Sequence, residues 1–374
     1  MADSGPGQIH RSILIRQCDG VGKTVEYLQQ KLRRNDMRGV TFSGNRRAEI
    51  KEFPDPHAGP GEAVLKVRAS GLCGTDLHRY RGSEPTDMIT GHEPCGVIEE
   101  LSPGAPPGIK VGDRVICHHY AGCGVCENCS MGYEQLCVHG RITFGGGTGH
   151  GANADYIVVP SRSLVILADD LSFEEGAAIS CGTGTAWNGL KKMEISGRDT
   201  VVVFGQGPVG ASGTLSAKAM GARVIAVDVV PERLTLAKEL GADHVINPSE
   251  VDAVEAVREL TDGVGATATL ETSGNPQARQ QTLECIRPFG RACYVGIGGP
   301  AEIDFNRDVI FKVATIFGSW TFSKAELIEI ERFFVDTKAP LNKLITHRYP
   351  LDQAVEAFQE FDGSKTGKCV IVMD

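Results

Sequence analysis

Residues 201–228 read VVVFGQGPVGASGTLSAKAMGARVIAVD. An unbroken apolar run, VVVF, is the pattern of a strand buried on both faces. It leads into Gly205, Gly207 and Gly210 in the spacing G-x-G-x-x-G, with Pro208 and Val209 opening a helix. A second apolar run, VIAV, then ends at Asp228, eighteen residues past Gly210. The three glycines permit a tight turn, a close backbone approach to a pyrophosphate, and close packing of helix on strand. The helix N-terminus faces the anion. A carboxylate at Asp228 suits a ribose 2′-hydroxyl and repels a 2′-phosphate, so the pattern predicts NAD rather than NADP. Arg233 stands five residues on, where it can flank the adenosine.

Outward from this unit the texture holds toward the C-terminus. PERLTLAKELG (231–241) and SEVDAVEAVRELT (249–261) read as helices, and HVIN (244–247), GATATLETSG (265–274), GRACYVGIG (290–298) and ATIFGSW (314–320) as strands. Alternation of apolar strands with helices predicts an α/β, doubly wound parallel sheet over 188–320. Toward the N-terminus, AVLKVRASG (63–71), PCGVIEEL (94–101) and DRVICHH (113–119) read as strands of an antiparallel β domain. MRGVTFSGNRRAEIKEF (37–53) reads as that domain's first strand, and Met37 is a candidate start of translation. After 320, SKAELIEIERFFVD and LDQAVEAFQEF read as amphipathic helices and GKCVIVMD as a last strand. Residues 1–36 read as an extension; QCDGVGKT (17–24) imitates a phosphate loop but has Gln17 where that motif needs glycine.

The chain has 374 residues, twelve cysteines and a net charge of -9. The acidic balance argues against nucleic acid or an anionic membrane as partner. Neither an eighteen-residue apolar run nor a secretory signal is present, which points to the cytoplasm and reduced thiols. In that setting AGCGVCENCSMGYEQLC (121–137) is more readily a metal site than a disulfide framework. Cys123, Cys126, Cys129 and Cys137 can close a tetrahedral zinc shell with no position left for substrate. A nucleic-acid zinc module is the other reading, opposed by the charge and the dinucleotide pattern.

Three further stretches, GLCGTDLH (71–78), GHEPCG (91–96) and SCGTGTAW (180–187), are weak one by one. Together with the rest they resemble the zinc-dependent alcohol dehydrogenases of the medium-chain dehydrogenase/reductase superfamily, from about residue 37 to the end. The resemblance implies a GroES-like catalytic domain over 37–187 and 321–374, with a zinc lobe near 120–140, around a Rossmann domain at 188–320. It implies a catalytic zinc on Cys73, His92 and Cys181, with Glu93 beside it and Asp76 orienting His92. Thr75 matches the hydroxyl that takes the alcohol proton, His78 the histidine that passes it to solvent, and Thr185 a neighbour of the nicotinamide. Two zinc ions and NAD are thus expected, with a small alcohol, aldehyde or ketone as substrate.

Cys181 stands where sorbitol- and threonine-type enzymes commonly carry glutamate, which argues against those classes. His118, His119 and Tyr120 fall where many relatives have apolar pocket residues, which suits either a diol or polyol substrate or extra hydrogen bonding in the wall. A polyol, diol or threonine dehydrogenase is the alternative activity. A non-catalytic NAD and zinc binder is opposed by the intact ligand and relay residues. Cys95 and Cys117 read as packed thiols. The family's dimers and tetramers make 291–299 and 301–308 candidate interface segments.

Overall fold

The computed structural model describes residues 36–374, of which Met37–Asp374 forms one compact unit. The extension and its imitation phosphate loop lie outside the described residues. Six parallel strands make the nucleotide-type sheet, in the order His244–Ile246, Arg223–Val227, Thr200–Phe204, Ala266–Glu271, Ile286–Tyr294, Thr315–Gly318. Chain order reverses direction beside Thr200–Phe204, the strand that feeds the glycine-rich turn, and a crevice opens at such a switch point. Val201, Val202 and Val203 are fully buried because helices cover both faces. One of those helices, Pro208–Ala219, has proline in its first turn, where no N–H is needed.

A second sheet holds seven strands. Its path runs Ile345–Pro350, Lys368–Val372, Glu62–Gly71, Pro94–Leu101, Arg114–Cys117, Leu164–Ile166, and Tyr156–Pro160 also pairs with Glu62–Gly71. All its pairings are antiparallel except the one joining Ile345–Pro350 to Lys368–Val372. This is the expected α/β class, a doubly wound parallel sheet beside an antiparallel GroES-like β part. One apolar core joins the two sheets' surroundings: Ala69, Cys95 and Ile116 pack in the same cluster as Trp187, Ala211, Leu215 and Phe322.

Two local expectations need correction, and one helix was not expected. Residues 37–53 are a hairpin, Met37–Phe42 against Ala48–Phe53. The turn between them takes positive φ at Gly44, Asn45 and Arg46, which ends a strand. The helix expected over 249–261 starts at Ala253, because the Asp252 carboxylate caps the Glu255 N–H at 2.9 Å. A helix at Pro276–Glu284 has no apolar stripe in PQARQQTLE to announce it. Asn275 starts it, its Oδ1 accepting from the N–H groups of Gln277 and Ala278.

Candidate active site

Cys73 follows strand Glu62–Gly71, and Thr75 precedes the short helix Asp76–Arg81. His92 and Glu93 sit on the turn before strand Pro94–Leu101. Gly91 shapes that turn: its φ is +88°, and a Cβ there would stand 2.4 Å from Asn153 Oδ1. Cys181 lies in a π-turn, Ile179–Thr183, between helices Phe173–Ala178 and Gly184–Lys192. Such a turn aims a side chain out of the regular helical register.

These segments, far apart in sequence, bring Cys73, His92, Glu93 and Cys181 together with one ligand atom from each within 4.8 Å of the others. Cys73 Sγ and Cys181 Sγ are 4.0 Å apart, and Cys181 Sγ is 3.6 Å from His92 Nε2. On a tetrahedral zinc, two sulfurs stand about 3.8 Å apart and sulfur and nitrogen about 3.6 Å. The side chains are close to that arrangement. In Cys73, the hydrogen bond from Cys181 and the nearby His92 hold the thiol well below its usual range, and Cys181 rises in step.

Asp76 organises the cluster. Its Oδ2 accepts the Cys73 N–H at 3.0 Å, and its Oδ1 lies 3.0 Å from His92 Nδ1. A carboxylate accepts, so Nδ1 carries a proton toward Asp76 and Nε2 faces the cluster. Burial opposes a charge on His92, but Asp76 and Cys73 outweigh it and raise the imidazole well above its usual range. The Thr75 hydroxyl donates to Cys73 Sγ at 3.3 Å and lies 3.5 Å from His92 Nε2. His78, on the same helix, is exposed.

Sequence reasoning missed Lys368. It is 4% exposed, ion-paired with Glu93 and donates to the Leu72 carbonyl at 2.9 Å. Burial pushes the Glu93 carboxyl up to about 7 against the pull of Lys368. The available signal is a lysine inside the apolar strand KCVIV, since lysine is almost never fully buried unless paired.

The four cysteines of the lobe also converge. Sulfur separations are 3.9 Å for Cys123 and Cys129 and 3.9 Å for Cys126 and Cys137, again near the tetrahedral edge. Main-chain N–H groups of Cys129 and Val138 bring Cys126 down to about 6, the direction a thiolate ligand needs. Cys95 and Cys117 are fully buried, and desolvation raises both thiols.

At the glycine-rich turn, a Cβ on Gly210 would stand 1.6 Å from the Gly205 carbonyl oxygen, so helix and strand are in contact there. Asp228 Oδ2 accepts the Gln206 N–H at 2.5 Å, and its Oδ1 the Val230 N–H at 2.8 Å. The Arg233 guanidinium lies 3.8 Å from the position of a Cβ on Gly207 and is drawn electrostatically to Asp228. Val209 stands 3.8 Å from the position of a Cβ on Gly182, and the Thr183 and Ser212 hydroxyls are 3.0 Å apart. The glycine-rich helix and the Cys181 turn are therefore neighbours. Thr185 is buried nearby in chain, its Oγ1 without a hydrogen-bond partner among the described residues.

His118 and His119 line the same region. Both nitrogens of His118 lie 3.0 Å from main-chain carbonyls, those of Tyr120 and Phe322. The His119 ring stands 5.8 Å from that of His92 and 4.4 Å from that of Tyr120, centroid to centroid.

Comparison with known proteins matches two family models. Residues 59–169 fit the alcohol dehydrogenase GroES-like domain, and residues 208–336 the zinc-binding dehydrogenase domain. The zinc-type alcohol dehydrogenase-like protein YphC of Escherichia coli K12, itself uncharacterized, is 37% identical over 349 residues, covering 90% of this chain and 98% of its own. L-threonine 3-dehydrogenase of Pyrococcus horikoshii is 38% identical over 339 residues, covering 87% and 95%. Among solved structures, alcohol dehydrogenase TADH from Thermus sp. ATN1 superposes with a TM-score of 0.84 at 28% identity, covering 90% of this chain and all of its own. The chain belongs to the zinc-dependent alcohol dehydrogenases of the medium-chain dehydrogenase/reductase superfamily.

Proposed function

We propose that this oxidoreductase oxidises a small alcohol to an aldehyde or ketone, reversibly, passing hydride to NAD. The observation that carries this reading is the buried cluster of Cys73, His92, Glu93 and Cys181 next to the glycine-rich turn. Cys73, His92 and Cys181 would hold the catalytic zinc, with Glu93 kept beside them by its ion pair with Lys368. Three protein ligands leave a coordination position for substrate. Bound there, zinc acts as a Lewis acid toward the substrate oxygen.

The chain's own groups do the rest. Asp76 fixes the His92 tautomer so that Nε2 faces the metal. Thr75, a hydroxyl that both donates and accepts, takes the proton from the alcohol. Thr75 would release its own proton in turn, and exposed His78 would deliver it to solvent. Pro208, Val209 and the three glycines present the helix N-terminus to the pyrophosphate, Asp228 and Arg233 flank the adenosine ribose, and Thr185 borders the nicotinamide. The hydride chemistry belongs to the cofactor; the fold brings the two reacting carbons into line. The lobe of Cys123, Cys126, Cys129 and Cys137 holds a second, structural zinc.

The substrate subclass stays broader than Cys181 alone suggests. Identity of 38% to a threonine 3-dehydrogenase over most of the chain keeps amino alcohols beside diols and simple secondary alcohols. We assign the enzyme to the cytoplasm, as a homo-oligomer. NADH formation tests the whole reading, measured with primary and secondary alcohols, diols, polyols and L-threonine, with NAD and NADP in parallel, with and without a zinc chelator. Chelator-sensitive reduction of NAD with two zinc ions per chain is expected. Preference for NADP would overturn the role of Asp228, and no turnover in a protein holding two zinc ions would favour a non-catalytic binder.

A further inference from the structure

His119 is 1% exposed, in the wall beside His92. Its Nδ1 lies 2.7 Å from the Ser180 carbonyl oxygen. A carbonyl only accepts, so Nδ1 bears the proton. In the neutral ring Nε2 then carries a lone pair. That atom is buried, and no hydrogen bond reaches it from any described residue. A charged ring would instead bury an N–H on Nε2 with no acceptor in reach among the described residues, so the neutral form is the one that fits. Phe322 closes one side, with ring centroids 5.8 Å apart, and Tyr120 another.

An unpaired buried acceptor costs stability, and a leucine or phenylalanine would fill the same space without that cost. The His119 ring centroid is 5.8 Å from that of His92, a metal-ligand candidate. Two heteroatoms on neighbouring carbons are close enough for one to face the metal ligands while the other faces a ring beside them. Resting on the dehydrogenase reading above, we infer that His119 Nε2 accepts a hydrogen bond from a hydroxyl or ammonium on the carbon next to the one oxidised, so that the enzyme selects vicinal diols or 1,2-amino alcohols over simple alcohols. A site built around a polar partner rejects the analogue that lacks it far more strongly than an apolar pocket rejects an extra hydroxyl.

The test compares the zinc-loaded full chain with His119→Phe and His119→Leu on butane-2,3-diol, L-threonine and butan-2-ol. In the unmodified protein, kcat/KM for the diol or for threonine exceeds that for butan-2-ol by about tenfold or more. Both variants lose that ratio. Which of the two substrates carries the advantage tells hydroxyl from ammonium. A binding measurement gives the second readout: lactamide and propanamide, whose amide carbonyl stands for the product carbonyl and is not reduced, are titrated into the protein with NADH bound, following nicotinamide fluorescence. Lactamide binds more tightly than propanamide to the unmodified protein, and equally to the variants. If alcohols are oxidised but the unmodified protein shows no such preference, or the variants keep it, this inference falls alone. If no alcohol is oxidised, it falls together with the dehydrogenase reading.

Discussion

Asp76 does two things with one carboxylate, holding the Cys73 main chain and the His92 ring. Asp76→Asn keeps the size but cannot take a proton bond at both oxygens. We expect about 10–100-fold weaker zinc retention at the Cys73 cluster, read by chelator competition, with kcat falling alongside. At Gly210 a single methyl has no room beside the Gly205 carbonyl. Gly210→Ala should therefore abolish tight NAD binding by calorimetry while both zinc ions stay bound. These residues differ in how legible they are. The lobe cysteines announce themselves by spacing, and the glycines by their place between strand and helix. Cys73, His92 and Cys181 carry no local signature, because residues from three separate segments meet only after the sheet has formed; the resemblance supplied them. Lys368 had neither kind of signal beyond its charge in an apolar strand.

Among elements, the zinc lobe is built from short irregular pieces, helix Glu127–Ser130 and the 3-10 turn Glu134–Leu136, with little core of its own. With the proposed zinc bound, its order would depend on the metal. Cys126→Ser should lower bound zinc from two to one per chain and make the 121–137 segment protease-sensitive, which limited digestion will show. Elsewhere, one of several ion pairs ties a strand to the segment before another. Arg291, on strand Ile286–Tyr294, pairs with Asp199, which also accepts the Ser196 N–H at 2.9 Å. Burial raises the Asp199 carboxyl, but Ser196, Thr267 and Arg291 outweigh it and hold it below the usual range. A depressed carboxylate stabilises the fold at neutral pH and loses that contribution as pH falls through its folded value. Asp199→Asn should thus cost about 1–2 kcal/mol at pH 7, measured by urea unfolding, and the difference should close below about pH 4. Strands were legible here because buried parallel strands are apolar throughout. Helix Pro276–Glu284 was not, since its polar face pattern carries no period and only the Asn275 cap marks it.

For the whole molecule, the edge strand Thr315–Gly318 of the parallel sheet has no neighbour on its outer side among the described residues. Exposed Phe289, Phe305, Ile310, Phe311 and Ile316 gather in and around that end of the sheet. An apolar patch beside an open edge suits a second copy of the chain. Phe311→Glu should shift the particle toward monomer in sedimentation, and a mass unchanged from the unmodified protein would exclude that surface. The order of strands has another result, which concerns synthesis rather than the finished enzyme. Strand Lys368–Val372 lies between Glu62–Gly71 and Ile345–Pro350, and Lys368 completes the pair with Glu93. A growing polypeptide that has not yet reached position 368 lacks an inner strand of the sheet and the partner of a buried carboxylate, though Cys73, His92 and Cys181 were all made long before. The ribosome therefore delivers the proposed ligand thiols early and the framework that orders them last, so acquisition of a catalytic ion would belong to the end of biogenesis.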